Sequence, residues 1–200
     1  MGNQEIREPI QKRSIEKKQN IIKYGFELMC EKGYHNTNTA EIAKAAGVST
    51  GIVYQYFNDK RDIFLQGIEQ YSKSLLFPIN EFSTKKLDIN NLENEFRNVI
   101  NKSLKNHKIS EAAHEEIYAL QHSDPDVAEI FLKQEIEATH NLISILEKNS
   151  ITTNNLKEKS HLIISLLDNL CHEIIYHKHD NMDYNAMTNI VIETIISLLK

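Results

Sequence analysis

Residues 50–56 read Thr-Gly-Ile-Val-Tyr-Gln-Tyr. Thr50, Gly51, Tyr54, Gln55 and Tyr56 place hydroxyls, an amide and a bare backbone on one short predicted helix. Such groups suit a nucleic-acid groove, where they bond base edges and phosphate oxygens. A second stretch invites a metal reading: His172-Glu173-Ile174-Ile175-Tyr176-His177 has one residue more than the zinc motif HExxH. Histidines five apart lie about 140° apart around a helix and cannot share one metal there. His177, His179 and Asp180 offer donors for a surface ion, but no resident metal site is expected. No nucleophile elbow, phosphate-cradling glycine loop or Cys-x-x-Cys occurs, so no enzyme activity and no cofactor is expected.

The elements that must carry these residues read as helices throughout. The 200 residues hold six glycines and three prolines, too few breakers for a turn-rich β architecture. Charged residues make up 26% and mean hydropathy is −0.45. No apolar run approaches the roughly 18 residues of a membrane span, and the polar start of the sequence predicts no signal peptide. Cys30 and Cys171 sit far apart in apolar-periodic segments, as buried thiols of a cytoplasmic protein would. Residues 1–65 hold ten Lys/Arg against eight Asp/Glu, and the rest thirteen against twenty. The basic excess is at the front, in Arg7, Lys12, Arg13, Lys17 and Lys18. A basic edge on an acidic body can still meet a polyanion, because the local field decides.

A first helix is predicted from between Pro9 and Ser14 to Lys32, with Ile15, Ile22, Phe26 and Met29 at helical spacing and Gly33 as its stop. Thr39 suits the N-cap of a short second helix that ends at Gly47. Ser49 caps a third over 50–57, and Asn58-Asp59 opens a fourth that Pro78 ends. Further helices are expected over about 91–107, 110–121, 124–149, 156–179 and 183–199. Asp124-Pro125-Asp126 is a strong start signal.

Helix, Gly47-Val48-Ser49 turn and second short helix make a helix-turn-helix. Its residues follow a specific pattern. Thr39-Ala40-Glu41-Ile42-Ala43, Ala46-Gly47-Val48-Ser49, Gly51-Ile52-Val53-Tyr54-Gln55-Tyr56-Phe57 and Lys60 closely resemble the TetR/AcrR family of bacterial transcriptional regulators. The likeness is strong over residues 15–65 and rests on helix pattern beyond. Asp168-Asn169-Leu170 is similar to the family's Asp-Gly-Leu, with Asn169 departing from it. The resemblance implies an all-α fold of about nine helices in an Ω-shaped homodimer. Residues 1–60 would form the DNA-binding domain, and 61–200 a domain for a small effector and dimerisation. The two reading helices would enter successive major grooves of a pseudo-palindromic operator in double-stranded DNA.

By that resemblance Thr50, Gly51 and Tyr54 would meet base edges or methyls. Thr39, Gln55, Tyr56 and Lys60 would hold phosphates, with Ser49 and Lys44 as weaker candidates. The methyl of Ala40 could touch only thymine. Arg13, Lys17 and Lys18 would add flanking contacts or simply form a solvated face. The reading helix has no Arg, so AT-leaning contacts and shape readout are expected over guanine reading.

In the body, His107, His114, Tyr118, His122, Asn169, His172 and Tyr176 interrupt apolar faces. Phe96, Val99, His114, Tyr118, Phe131, Ile163, Leu167 and Cys171 are candidates for a mostly apolar effector pocket; the plainer reading is core packing. Leu166, Leu170, Ile174, Ile192, Ile195, Ile196 and Leu199 form stripes suited to a four-helix bundle between two subunits. The expected function is a dimeric repressor released by a small, mostly apolar effector. The alternative is a protein of the same fold that binds DNA or a protein partner constitutively, without an effector.

Overall fold

The computed structural model describes residues 9–80, 91–106 and 109–200; Arg7 and His107 lie outside the described residues. Among these residues the chain is all helical. The helices are α1 (Lys12–Lys32), α2 (Thr39–Ala45), α3 (Thr50–Tyr56), α4 (Lys60–Asn80), α5 (Leu92–Asn106), α6 (Glu111–Ser123), α7 (Pro125–Lys148), α8 (Leu156–Tyr176) and α9 (Tyr184–Leu199). None of the described helices is long and apolar enough to cross a membrane.

Most helix starts follow local cap chemistry. Asp124 Oδ1 accepts the N–H groups of Asp126 and Val127 at 3.0 and 3.3 Å, so Asp-Pro-Asp starts α7 as expected. Asp59 Oδ1 accepts from Arg61 and Asp62 at the head of α4, and Asp183 Oδ1 from Asn185 and Ala186 at α9. One cap differs. Asn38, not Thr39, caps α2, because Glu41 stands three residues on and completes a reciprocal capping box. Thr39 becomes the first helical residue. Ser49 occupies the N-cap of α3, but its side chain makes no capping bond.

Pro78 does not end α4, which continues to Asn80. Proline has no N–H to offer the carbonyl four residues back. That carbonyl belongs to Ser74, and the Asn106 side-chain amide of α5 donates to it at 2.8 Å. A long-range bond thus replaces the missing helical one. At its far end, α8 stops at Tyr176, short of the expected His179.

The helices gather into two compact units. One holds the described residues up to Tyr71 together with Ile109–Ile130; the other holds those from Ser72 to Asn106 together with Phe131–Lys200. In the first, Phe26, Phe64 and Tyr71 cluster with ring centres about 6 Å apart, around the buried Ile21, Ile22, Ile42, Val53, Phe57, Ile63 and Ile68. Burying such side chains contributes about 1.5–3 kcal/mol each. Gly67 lets α4 lie against α1, since a Cβ there would stand 2.5 Å from the Phe26 ring. In the second unit, α5, α8 and α9 pack together with the inner face of α7 around Leu142, Ile145, Leu146, Ile163 and Ile195.

Candidate nucleic-acid interface

The turn between α2 and α3 is fixed by backbone bonds. Val48 N–H donates to Ala43 O at 2.9 Å and Gly47 N–H to Lys44 O at 3.2 Å, a Schellman closure. Gly47 supplies the left-handed residue it needs, at φ +66°. Behind the turn, Ile42, Ala43, Val53, Tyr56 and Phe57 are buried and clamp the two helices into the core of the first unit.

Outward, α3 presents Thr50, Gly51, Tyr54 and Gln55, all exposed. Their spacing puts them on one face. Tyr54 keeps 45% of its surface open although it is large and aromatic. A Cβ added at Gly51 would meet nothing closer than Ser49 Oγ at 3.9 Å, so internal packing makes no demand for glycine there. Ser49, Lys44 and Ala40 are exposed beside this face, and Thr39 is half-buried. These expected contact residues form one continuous surface.

Two expected phosphate holders are placed differently. Tyr56 is 8% exposed and belongs to the core. Lys60 turns inward: its Nζ donates to Tyr34 O at 2.7 Å and Thr37 O at 2.8 Å. It also stands 4.5 Å from the centre of the Tyr34 ring, a cation–π contact. On α1, Lys12 and Arg13 are exposed, Lys17 is half-buried, and Lys18 Nζ lies 5.9 Å from the Phe57 ring centre.

Sequence reasoning missed Arg61. Its Nη2 donates to both carboxylate oxygens of Asp124 at 2.9 Å and to Asp126 Oδ2 at 2.7 Å. Partial burial would push the Asp124 carboxyl up. The bond from Arg61 and the N–H groups at the head of α7 outweigh that and hold it below the usual carboxylate range. The Asp-Pro-Asp start signal named one side of this contact; nothing local named Arg61.

The expected pocket residues separate. Phe96, Val99, Ile163 and Leu167 are packed inside the core of the second unit. Cys171 is buried near them in sequence, and burial, then Asp168, pushes its thiol up to about 12; Phe131 is half-buried. His114 and Tyr118 belong to the first unit and stack on each other at 5.7 Å. The residues expected on a subunit interface also divide. Leu170, Ile192, Ile195 and Leu199 are enclosed in the chain's own core, with Ile192 and Ile195 at 0% exposure, so they cannot reach a partner. Leu166, Ile174 and Ile196 lie partly buried around that core. The large apolar side chains left open on α8 and α9 include Leu162 and Ile190, at 52% and 62%. On the outside of the second unit, Leu132 and Ile136 of α7 and Leu162 of α8 line an open groove of about 610 Å³.

Comparison with known proteins addresses this same region. Residues 21–66 match the model of bacterial regulatory proteins of the tetR family. Over 48 residues, 24% of the chain, it is 48% identical to the HTH-type transcriptional regulator HbdR of Aromatoleum sp. (strain CIB), covering 21% of that protein. The curated relatives are matched over 21–36% of their own length. Solved structures cover far more. A TetR-family structure from Mesorhizobium loti MAFF303099 superposes with a TM-score of 0.73 at 18% identity, over 94% of this chain and 98% of that one. A structure of a transcriptional regulator from Saccharomonospora viridis, in complex with choline, gives 0.63 at 16% identity over 90% and 96%. At these identities the likeness speaks for the fold.

Proposed function

We propose that this chain, which carries a tetR-family segment at residues 21–66 on the all-helical fold of TetR-family structures, is a cytoplasmic DNA-binding transcriptional repressor that acts as a homodimer. The observation that carries the reading is the outward face of α3. Thr50, Gly51, Tyr54 and Gln55 are open to solvent on a helix whose other face is locked into the core. Thr50, Gly51 and Tyr54 read bases or methyls in the major groove; Gln55, Ser49, Lys44 and Thr39 fix the phosphates. Because that face has no Arg, the operator leans toward A·T pairs and shape.

Release by a small effector is the second part of the reading. Inside the second unit, Gln134 Nε2 and Ser160 Oγ are buried with no hydrogen-bond partner among the described residues. Buried polar atoms in that state ask for a ligand or water. The choline-bound structure supports small-molecule binding by this fold. An effector acts by preferring a state whose reading helices no longer match the operator spacing. Dimerisation is proposed through the open residues Leu162 and Ile190 with the partly buried Leu166, Ile174 and Ile196 beside them.

The test is fluorescence anisotropy of the purified protein with the DNA upstream of its own gene, at two salt concentrations. Tight binding that exceeds binding to a scrambled duplex, and is lost in Tyr54→Ala, is the expected result. Equal, weak binding to both duplexes, unchanged by the substitution, would favour a constitutive interaction protein of the same fold.

A further inference from the structure

We infer that Lys60 is a positioning residue of the DNA-reading unit: its ammonium ties the exit of the helix-turn-helix to its entrance, instead of lending its charge to a phosphate. The inference rests on the DNA-binding reading above. Lys60 is the first residue of α4, where the chain has just left α3. It reaches back 26 and 23 residues to the carbonyl oxygens of Tyr34 and Thr37. Those residues lie in the loop between α1 and α2.

That loop is held mainly by side-chain donors. Asn36 Nδ2 donates to Lys32 O at 3.0 Å and Thr37 Oγ1 to Gly33 O at 3.1 Å. The backbone bond from Thr37 N–H to Tyr34 O is long, at 3.4 Å. Thr37 is buried at 2% exposure, so its carbonyl depends on a donor from the protein, and Lys60 is that donor. A buried carbonyl left without one is costly. The residue after Thr37 is Asn38, the cap of α2. Next come Thr39 and Ala40, which begin the surface proposed to meet DNA. The loop therefore sets where α2 starts, and the Gly47 turn carries that placement to α3.

The chemistry separates the two roles. An ammonium has three donors. Two of those on Lys60 are committed to carbonyls, and the Tyr34 ring covers another side. A phosphate contact needs the cation to face outward, as the exposed Lys44 does. Neutralising one phosphate changes the slope of log K against log salt by about 0.9. A positioning residue weakens binding without changing that slope.

The experiment uses the full chain and a fluorescein-labelled duplex from the DNA upstream of its own gene, titrated between about 50 and 200 mM salt. Lys60→Met keeps the stem over Tyr34 and removes the donors; Lys44→Met is the comparison. The expected result for Lys60→Met is binding weakened by about tenfold or more, from the loss of two charge-assisted bonds, at the wild-type slope. Lys44→Met should flatten the slope by about 0.9. A slope flattened by that amount in Lys60→Met would overturn the inference. Amide exchange of the free protein gives a second arm. Exchange at Thr37, Asn38 and Glu41 should quicken in Lys60→Met while the amides of α7 and α8 stay as they are. Unchanged exchange at those three also overturns it. If the wild type prefers its upstream duplex no more than a scrambled one, the DNA reading fails, and the exchange arm alone decides the role of Lys60. Should Lys60→Met not fold, Lys60→Gln, uncharged but still a donor, is read on the same two axes.

Discussion

Arg61 and Asp124 stand 63 residues apart in sequence, yet one guanidinium nitrogen bonds both oxygens of the carboxylate at 2.9 Å. The same carboxylate caps α7. One contact therefore joins the head of α4, just past the reading helix, to the corner between α6 and α7. A double-mutant cycle with Arg61→Ala and Asp124→Ala, read by urea unfolding, should give a coupling of about 0.5–1 kcal/mol, because the pair is half open to solvent. Strict additivity would mean the two side chains contribute independently.

Acid should loosen the first unit. Asp124 is held below the ordinary carboxylate range for the reasons given. Glu41 is lowered by its bond from Lys32 and by the Asn38 backbone N–H. Groups lowered on folding contribute stability above the unfolded value of about 3.9–4.3, and that contribution disappears as pH falls through the folded value. Urea midpoints should therefore fall steeply below about pH 4. The fall should be shallower in Asp124→Asn. An identical acid limb in that variant would show that Asp124 is not one of the groups responsible.

Gly51 should separate function from stability. An added methyl meets only ordinary contacts, and alanine is the better helix former by about 0.8–1 kcal/mol. Gly51→Ala should keep or raise the melting temperature while weakening operator binding. A variant that binds as tightly as wild type would remove Gly51 from the contact surface.

Where α7 ends, the chain repeats the closure seen after α2, with Ile151 N–H on Leu146 O at 2.9 Å and Ser150 N–H on Glu147 O at 3.0 Å. Here the left-handed position is held by Ser150, at φ 58°. A side chain in that conformation costs about 1–2 kcal/mol, so Ser150→Gly should stabilise the protein by about 1 kcal/mol. Calorimetry of the purified variant checks this.

These particulars show what could be read before folding. Gly47, Asp124 and the buried faces were legible because each acts within one or two turns of its own position. Asn38 against Thr39 was a choice between two good caps, and the deciding residue, Glu41, was in plain view three positions on. Pro78 and Lys60 were misjudged for one shared reason. Their partners, Asn106 and the carbonyls of Tyr34 and Thr37, lie 23 or more residues away, where no periodicity reports them. The stripes on α8 and α9 announced burial, but an apolar pattern does not say whose chain buries it. Ile192 and Ile195 turned out to be covered by their own.

The first unit draws on two separate stretches of the sequence, and this has a consequence for its birth on the ribosome. At about 5–20 residues per second, several seconds pass between the emergence of α4 and that of α6. During that wait the reading helices have emerged, but Asp124 has not, and Arg61 has nothing to grip. A nascent chain stalled in the interval, or a fragment cut after α4, displays the reading surface on an unfinished base. Affinity measured on such a piece would understate that of the whole protein.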